Sequence, residues 1–132
     1  MEDSKIRQIL EESKTVAVVG LSPKPERDSY EVAHYLQNAG YKIIPVNPMA
    51  KEILGEKVCP DLASIPEKVD IVDIFRRSEL VGPIIDEAIA IGAKTVWMQL
   101  GVANEEAAQK ASAAGLNVVM DLCILCEHRR LF

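Results

Sequence analysis

The stretch Ala17–Ala33, "AVVGLSPKPERDSYEVA", joins an apolar run to a segment of helical spacing through a polar turn. Its apolar beginning is typical of a strand buried on both faces of a sheet, and its end has the spacing of a helix. The turn between them carries a glycine, a hydroxyl and two cations: Gly20, Ser22, Lys24 and Arg27. Backbone N–H groups and the positive end of a following helix favour an anion. The turn therefore predicts a phosphate site, although the G-x-G-x-x-G pattern is absent; the alternative is a tight turn with solvated charges.

Outward from this stretch, apolar runs alternate with segments of helical period, which is typical of a parallel sheet with crossover helices. Strands are predicted at Thr15–Val19, Lys42–Val46, Asp70–Ile74, Thr95–Met98 and Asn117–Met120. Helices are predicted at Ile6–Ser13, Ser29–Ala39, Ser78–Ile91 and Asn104–Ala114. We therefore expect one α/β domain over residues 1–132, a doubly wound, mostly parallel, five-stranded sheet with helices on both faces.

Short polar side chains at the helix starts predict the caps. Asp28 or Ser29 is expected to cap the second helix, Ser78 the third and Asn104 the fourth, because their oxygens can accept from free first-turn amides. Each of these three helices is followed by a glycine at or near its predicted end, which is typical of a helix C-terminus.

Three further segments are less regular. Pro45 favours an edge position or an early stop for the second strand, because proline has no amide to donate. The region Met49–Lys68 has scattered Gly and Pro and predicts a loop with a short helical turn near Ala50–Ile53. The tail, "DLCILCEHRRLF", is expected to be irregular or briefly helical.

The composition restricts the class of function. The chain has 132 residues, of which 48% are hydrophobic and 27% charged, and a formal net charge of −5. That charge argues against nucleic acid or an anionic membrane as the main partner, but a small phosphorylated ligand needs only a few local cations. The charged first residues and the lack of a run of about 18 apolar residues predict neither a secretory leader nor a membrane span. We expect a cytoplasmic protein.

In a doubly wound sheet, ligands bind at the carboxyl ends of the strands, near the point where the strand order reverses. Polar and basic groups recur in the loops expected there: Pro23 beside the groups named above, Asn47 and Pro48, Phe75, Arg76 and Arg77, and Gln99 and Gly101. An aromatic ring with two guanidinium groups can sandwich a purine or hold phosphate. A core phenylalanine beside a surface basic pair is an equal alternative, and Asn47-Pro48 is also adequate as a simple turn.

The second of these loops argues against NAD. A dinucleotide-binding fold usually has Asp or Glu at the end of its second strand, where the carboxylate holds the ribose hydroxyls. Here Val46 is followed by Asn47. An NAD-type oxidoreductase therefore remains an alternative rather than the first expectation.

Four stretches, in order and at this spacing, carry a resemblance: "VAVVGLSPKPERDSYEVAHYLQNAGYKIIPVNP", "VDIVDIFRRSELV", "VWMQLGVANEEAA" and "GLNVVMDLCILCEHRRL". The chain resembles the small CoA-binding proteins whose Rossmann-like domain also occurs in the succinyl-CoA synthetase alpha subunit. The resemblance implies a Rossmann-like fold and coenzyme A as the ligand. It also implies phosphate-loop contacts by Gly20, Ser22, Lys24, Arg27, Ser29 and Tyr30. The implied remaining contacts are Asn47, Pro48, Phe75, Arg76, Arg77, Gln99 and Gly101.

The cysteines of the tail admit several interpretations. Cys123, Cys126 and His128 suggest zinc or redox chemistry, but a structural zinc needs four ligands and no further standard pair occurs. Partly buried cysteines near the sheet edge are the preferred interpretation, and we expect no metal site. A sharper hypothesis is a mixed disulfide between Cys123 and coenzyme A, since the loop after the fifth strand lies at the ligand edge.

No catalytic arrangement emerges from the sequence. There is no G-x-S-x-G, and His34 is expected at the surface or as a satisfied histidine. The expected function is binding of coenzyme A or acyl-CoA without catalytic machinery of its own, as a regulator or carrier. An accessory subunit of an acyl-CoA ligase is the other alternative, and a homodimer or a partner subunit is left open.

Overall fold

The computed structural model describes all residues, Met1–Phe132. The strands are β1 (Thr15–Val19), β2 (Lys42–Val46), β3 (Glu52–Ile53), β4 (Glu56–Lys57), β5 (Ile71–Ile74), β6 (Thr95–Met98) and β7 (Asn117–Val119). The α-helices are α1 (Asp3–Glu12), α2 (Asp28–Asn38), α3 (Val81–Ala90), α4 (Glu105–Ala113) and α5 (Ile124–Leu131). A 3₁₀ turn at Ser78–Leu80 precedes α3.

Five parallel strands form the central sheet in the order β2-β1-β5-β6-β7, and β3 and β4 form a separate antiparallel hairpin. The chain runs from β1 outward to β2 and then returns to the other side of β1 to form β5. The strand order therefore reverses between β1 and β5, which is where ligands bind in open sheets of this type. The sheet is the expected doubly wound, Rossmann-like α/β fold, with helices on both faces.

Two apolar clusters form the core, one on each face of the sheet. On one face α1, α2 and α5 pack over the fully buried Trp97 and Val18. On the other, α3 and α4 pack over Val72 and Met98, which are also fully buried. Because both faces are covered, the strands are apolar at most positions rather than alternating. This explains why β1, β2 and β6 have the predicted bounds.

Proline positions account for two further details. β2 lies at the edge of the sheet, as Pro45 predicted. Its outer side is extended only by a short bridge in which the Cys59 amide donates to the Pro45 carbonyl at 2.9 Å. The predicted third helix begins as a 3₁₀ turn, and the α-helix starts at Val81, which places Pro83 in the first turn, where no amide is needed.

The helical turn predicted near Ala50–Ile53 is wrong. This region contains the β3–β4 hairpin, whose two-residue turn has a positive φ at both Leu54 (55°) and Gly55 (77°). Such a turn matches the twist of paired strands, and glycine is the usual signal for it. The tail is mostly helical, since α5 spans eight residues and packs against α1 and α2.

Two of the predicted caps are also wrong. Neither Asp28 nor Ser29 caps α2, and Ser78 caps no helix. Their hydroxyls bind other loops: the Ser29 Oγ accepts from the Ser22 amide at 3.0 Å, and the Ser78 Oγ accepts from the Ala103 amide at 3.0 Å. Asn104 is the predicted cap of α4, since its Oδ1 accepts from the Ala107 amide at 3.0 Å.

No helix of the structure is long and apolar enough to span a bilayer.

Candidate functional site: a groove at the carboxyl edge

A groove runs along the carboxyl ends of the strands, across the point where the strand order reverses. It consists of three depressions that all include Phe75 in their walls, with volumes of about 660, 620 and 360 Å³. The largest, which we call the α2–α5 cleft, lies between Val32 of α2 and Leu125 of α5. The second, the phosphate-loop depression, is formed by the loop from β1 to α2. The third lies between the loops after β2 and β5 and includes Asn47 and Pro48.

Gly20 holds the loops after β1 and β5 together. Its φ is +85°, a conformation that side-chain-bearing residues rarely adopt. A Cβ at this position would lie 2.4 Å from the Phe75 carbonyl oxygen and 3.0 Å from the Arg76 Cδ. Glycine is therefore required for two independent reasons, backbone conformation and close approach. The close approach of Gly20 to Phe75 and Arg76 places the phosphate-loop depression next to the Phe75-Arg76-Arg77 segment.

The β1–α2 loop is organised by its own hydroxyls. The Ser22 amide donates to the buried Ser29 Oγ at 3.0 Å, and the Ser22 Oγ accepts from the Lys24 amide at 3.1 Å. No protein acceptor binds the amides of Asp28 and Ser29 in the first turn of α2. These free amides and the helix dipole face the loop that includes Lys24, an arrangement that attracts an anion.

Basic side chains are concentrated along this groove. The five that line it are Lys24, Arg27, Arg76, Arg77 and Arg129, against the three carboxylates Glu26, Asp28 and Glu31. The chain as a whole has a net charge of −5, so the groove has the opposite sign. Of the five cations, only Arg77 forms a salt bridge, with Glu79 at 3.4 Å on the exposed surface. The other four are free to meet an anionic ligand.

Several predicted site residues use their polar atoms within the protein. The Asn47 Nδ2 donates to the Leu21 carbonyl at 2.9 Å, and its Oδ1 accepts from the Met49 amide at 2.7 Å. The Gln99 Oε1 accepts from the Ile124 amide at 3.1 Å. The Gly101 amide donates to an Asp121 carboxylate oxygen at 2.7 Å. These contacts join neighbouring loops, so the groups shape the groove as well as lining it.

Two predicted residues lie outside the walls of the groove. Pro23 is exposed on the loop, and Tyr30 is half-buried against the core of the α2 face, with its ring centroid 6.3 Å from that of His34. The groove walls contain the other twelve predicted site residues. His34 itself is exposed, as predicted.

The sequence prediction missed the contribution of α5. Leu125, Cys126 and Arg129 line the α2–α5 cleft beside Cys123. His128, from the same tail, points elsewhere, since its Nδ1 lies 2.8 Å from the Tyr35 hydroxyl and its ring stacks on Phe132. The apolar positions 124, 125 and 131 recur at helical spacing, and this pattern was the available signal.

Asp73, in the middle of β5, was also missed. It is fully buried, and neither carboxylate oxygen has a hydrogen-bond partner. Its strand neighbours are Val18 and Trp97, so it lies on the face covered by α1, α2 and α5. Burial raises the pKa of the Asp73 carboxyl well above its usual value. Asp73 does not line the groove, and we assign it no contact with a ligand.

Comparisons with known proteins identify the family of this chain. Residues 14–129 match the family described as "CoA binding domain". The chain is 46% identical to the uncharacterized protein YneT of Bacillus subtilis, over 95% of this chain and 93% of that protein. A solved structure of a hypothetical protein from Pyrococcus horikoshii is 45% identical, with a TM-score of 0.96 over 99% of this chain and 92% of that one.

A more distant relative is an enzyme. The ADP-forming acetate–CoA ligase I of Archaeoglobus fulgidus is 28% identical over 84% of this chain, but the matched part is only 18% of the ligase. The chain is therefore related to one portion of such ligases. Together with the match over residues 14–129, this shows that the chain belongs to the CoA-binding domain family.

Proposed function

We propose that this protein binds coenzyme A in the carboxyl-edge groove, as a carrier or regulator without catalytic machinery for acyl transfer. The observation that carries the proposal is the close approach of Gly20 to Phe75 and Arg76. It joins a helix-start anion site and a second basic loop into one continuous groove. Coenzyme A has a pyrophosphate and a separate ribose phosphate, and a ligand with phosphates at two positions suits basic groups on two loops.

The two ends of the groove favour one orientation of the coenzyme. The phosphate-loop depression has Lys24 and Arg27 in its walls and little apolar surface. The α2–α5 cleft includes Val32, Val102 and Leu125. We infer that the phosphates lie at the first end and that the uncharged pantetheine arm extends into the cleft. In this orientation the coenzyme's thiol end lies toward α5.

Asn47 supports coenzyme A over NAD. It occupies the position after β2 where dinucleotide binders usually have a carboxylate for the ribose hydroxyls. Both of its side-chain polar groups are bound to the backbone, at Leu21 and Met49. The side chain therefore ties two loops together and offers no carboxylate to a ribose.

Calorimetric titration of coenzyme A and dephospho-coenzyme A into wild type, Arg27→Ala and Arg76→Ala tests the proposal. Loss of a charge-assisted hydrogen bond is expected to weaken coenzyme A binding about 10- to 100-fold in each variant. The two variants are expected to differ in their preference between the ligands, because the two guanidinium groups meet different phosphates.

Lys5→Ala is the matched control, because it removes an exposed cation of α1 that does not line the groove. Its affinity should equal that of wild type. An equal loss for both ligands in both arginine variants would contradict the assignment of the phosphates. Unchanged affinity in both would contradict the site.

A further inference from the structure

Two of the three cysteines lie together in the wall of the α2–α5 cleft. Cys123 is half-buried and Cys126 is exposed, and both line the cleft. Cys59 lines none of the three depressions of the groove. The cleft therefore combines an apolar lining, suited to a pantetheine arm, with a pair of thiols.

The pair has the sequence spacing and the helix position of a redox dithiol. Cys123, whose backbone is extended, is the residue before the first turn of α5, and Cys126 lies within that turn. A Cys-X-X-Cys motif at the start of a helix is the arrangement that disulfide oxidoreductases use, and here both cysteines line the same cleft. The neighbouring Cys123 thiol, together with slight burial, raises the pKa of the Cys126 thiol.

The chain on either side of Cys123 is fixed to β6 and the loop after it. The Trp97 Nε1 donates to the Leu122 carbonyl at 2.8 Å, and the Gln99 Oε1 accepts from the Ile124 amide at 3.1 Å. Trp97 is fully buried and Gln99 is buried as well, so both supports lie in the packed interior. Cys123 is held in place at the cleft, whereas Cys126 faces solvent and can exchange a proton with water.

We propose that Cys123 and Cys126 form a redox dithiol that reduces a disulfide of coenzyme A held in the cleft. This goes beyond coenzyme A binding and rests on it, because the groove supplies recognition of the substrate. The substrate class is a coenzyme A disulfide, either symmetrical or mixed with another thiol.

The exchange takes place in two steps. The Cys123 thiolate attacks the sulfur that belongs to the bound coenzyme, the disulfide bond breaks, and the other half leaves as a thiolate that takes a proton from water. Cys126 then loses its proton to solvent and attacks the Cys123 sulfur. The bond between Cys123 and coenzyme A breaks, and coenzyme A leaves as a thiolate. The protein dithiol loses two electrons and becomes a disulfide, and the substrate gains them and becomes two thiols. A small dithiol such as dithiothreitol returns the protein to its reduced form.

Intact-mass measurement under non-reducing conditions, after the reduced protein meets coenzyme A disulfide, tests the proposal. Wild type is expected to lose two hydrogen atoms and to release free coenzyme A without a lasting adduct. Cys126→Ser is expected to accumulate one coenzyme A adduct, because the second step is blocked. Cys123→Ser is expected to form none. Cys59→Ser is the matched control and should behave as wild type.

Hydroxyethyl disulfide, which lacks the nucleotide, separates recognition from general thiol reactivity. Wild type is expected to react with coenzyme A disulfide at least about tenfold faster, because binding raises the effective concentration of the disulfide. Equal rates would overturn recognition by the groove. A lasting adduct on wild type equal to that on Cys126→Ser would overturn the second step, and an adduct on Cys123→Ser would overturn the assignment of the attacking sulfur.

A calorimetric titration of coenzyme A into Cys123→Ser distinguishes the failure of this proposal from that of the proposed function. If coenzyme A binds but its disulfide does not react with wild type, the redox proposal is wrong and the binding function stands. If coenzyme A does not bind to wild type or to the variant, both are wrong.

Discussion

Replacing Gly20 with alanine tests whether the close approach of two loops builds both the fold and the groove. Gly20 has a φ of +85°, and an added Cβ would lie 2.4 Å from the Phe75 carbonyl oxygen. That oxygen belongs to the backbone at the end of β5, so it cannot rotate away as a side chain would. Either the loop after β1 or the loop after β5 must move.

Two terms make up the expected loss of stability. The left-handed conformation costs a non-glycine residue about 1–2 kcal/mol. Forcing an extra carbon into a closely packed site costs typically about 1–3 kcal/mol more. Gly20→Ala is therefore expected to lower the free energy of unfolding by about 2–5 kcal/mol. Because the displaced loops carry Ser22 and Arg76, coenzyme A binding should weaken in parallel.

Gly115→Ala is the matched control. Its φ is +91°, close to that of Gly20, but nothing lies within 4 Å of an added Cβ. It should lose only the conformational term, about 1–2 kcal/mol. The effect of alanine on the entropy of the unfolded chain is the same at both sites and cancels in the comparison.

Urea unfolding of wild type and both variants, followed by circular dichroism, measures the difference directly. The Gly20 variant should be the less stable of the two, and its affinity for coenzyme A the lower. If the two variants lose the same stability and both bind coenzyme A as wild type does, the close approach of Gly20 to Phe75 does not hold the loops together.

Substitutions at three further positions probe individual polar groups. Burial raises the pKa of the Asp73 carboxyl, so the native state holds this proton more tightly than the unfolded chain, and stability falls as pH rises from about 3.9 toward the raised pKa. Asp73→Val should therefore stabilise the protein by about 1–3 kcal/mol at neutral pH, with a smaller gain in acid. Asp73→Asn should remove the same pH dependence. Urea unfolding across a pH series would contradict this if the free energy of unfolding of the variants still fell with rising pH as it does in wild type. Asn104→Ala should cost about 1 kcal/mol, because the Ala107 amide at the start of α4 loses its acceptor, and an unchanged unfolding midpoint would count against the cap. Asn47→Ala should cost about 1–3 kcal/mol and also weaken coenzyme A binding, because two loops of the groove lose their connection; full affinity by calorimetry would show that this link does not shape the site.

The strands could be predicted because their signal is local and strong. β1, β2 and β6 are short apolar runs in a sheet covered on both sides, and they have the predicted bounds. The hairpin at β3 and β4 could not, since each strand has two residues and its turn places Leu54 at a positive φ that leucine seldom adopts. Positions 124, 125 and 131 give the helical pattern of α5, but its packing against α1 and α2 involves residues far away in the sequence and could not be predicted from that pattern.

The site was predictable at the level of loops and less so at the level of atoms. The rule that ligands lie at the carboxyl ends of the strands points to the segments around Gly20, Asn47 and Phe75, and these segments line the groove. It could not show that Asn47 and Gln99 use their side chains to connect loops, because those partners are distant in sequence. The burial of Asp73 could not be predicted either, because the sequence of a strand does not distinguish a fully buried carboxyl from one that faces water.

The most direct test of coenzyme A binding in the groove is a binding panel of coenzyme A, NAD and ATP against the freshly purified protein, measured by native mass spectrometry and calorimetry. A groove that holds coenzyme A should give a complex with one equivalent of coenzyme A per chain. NAD and ATP should bind clearly more weakly, because neither ligand has both the pantetheine arm and the arrangement of phosphates that the two basic loops suit. Preferred or retained NAD, or the absence of a coenzyme A complex, would contradict this prediction.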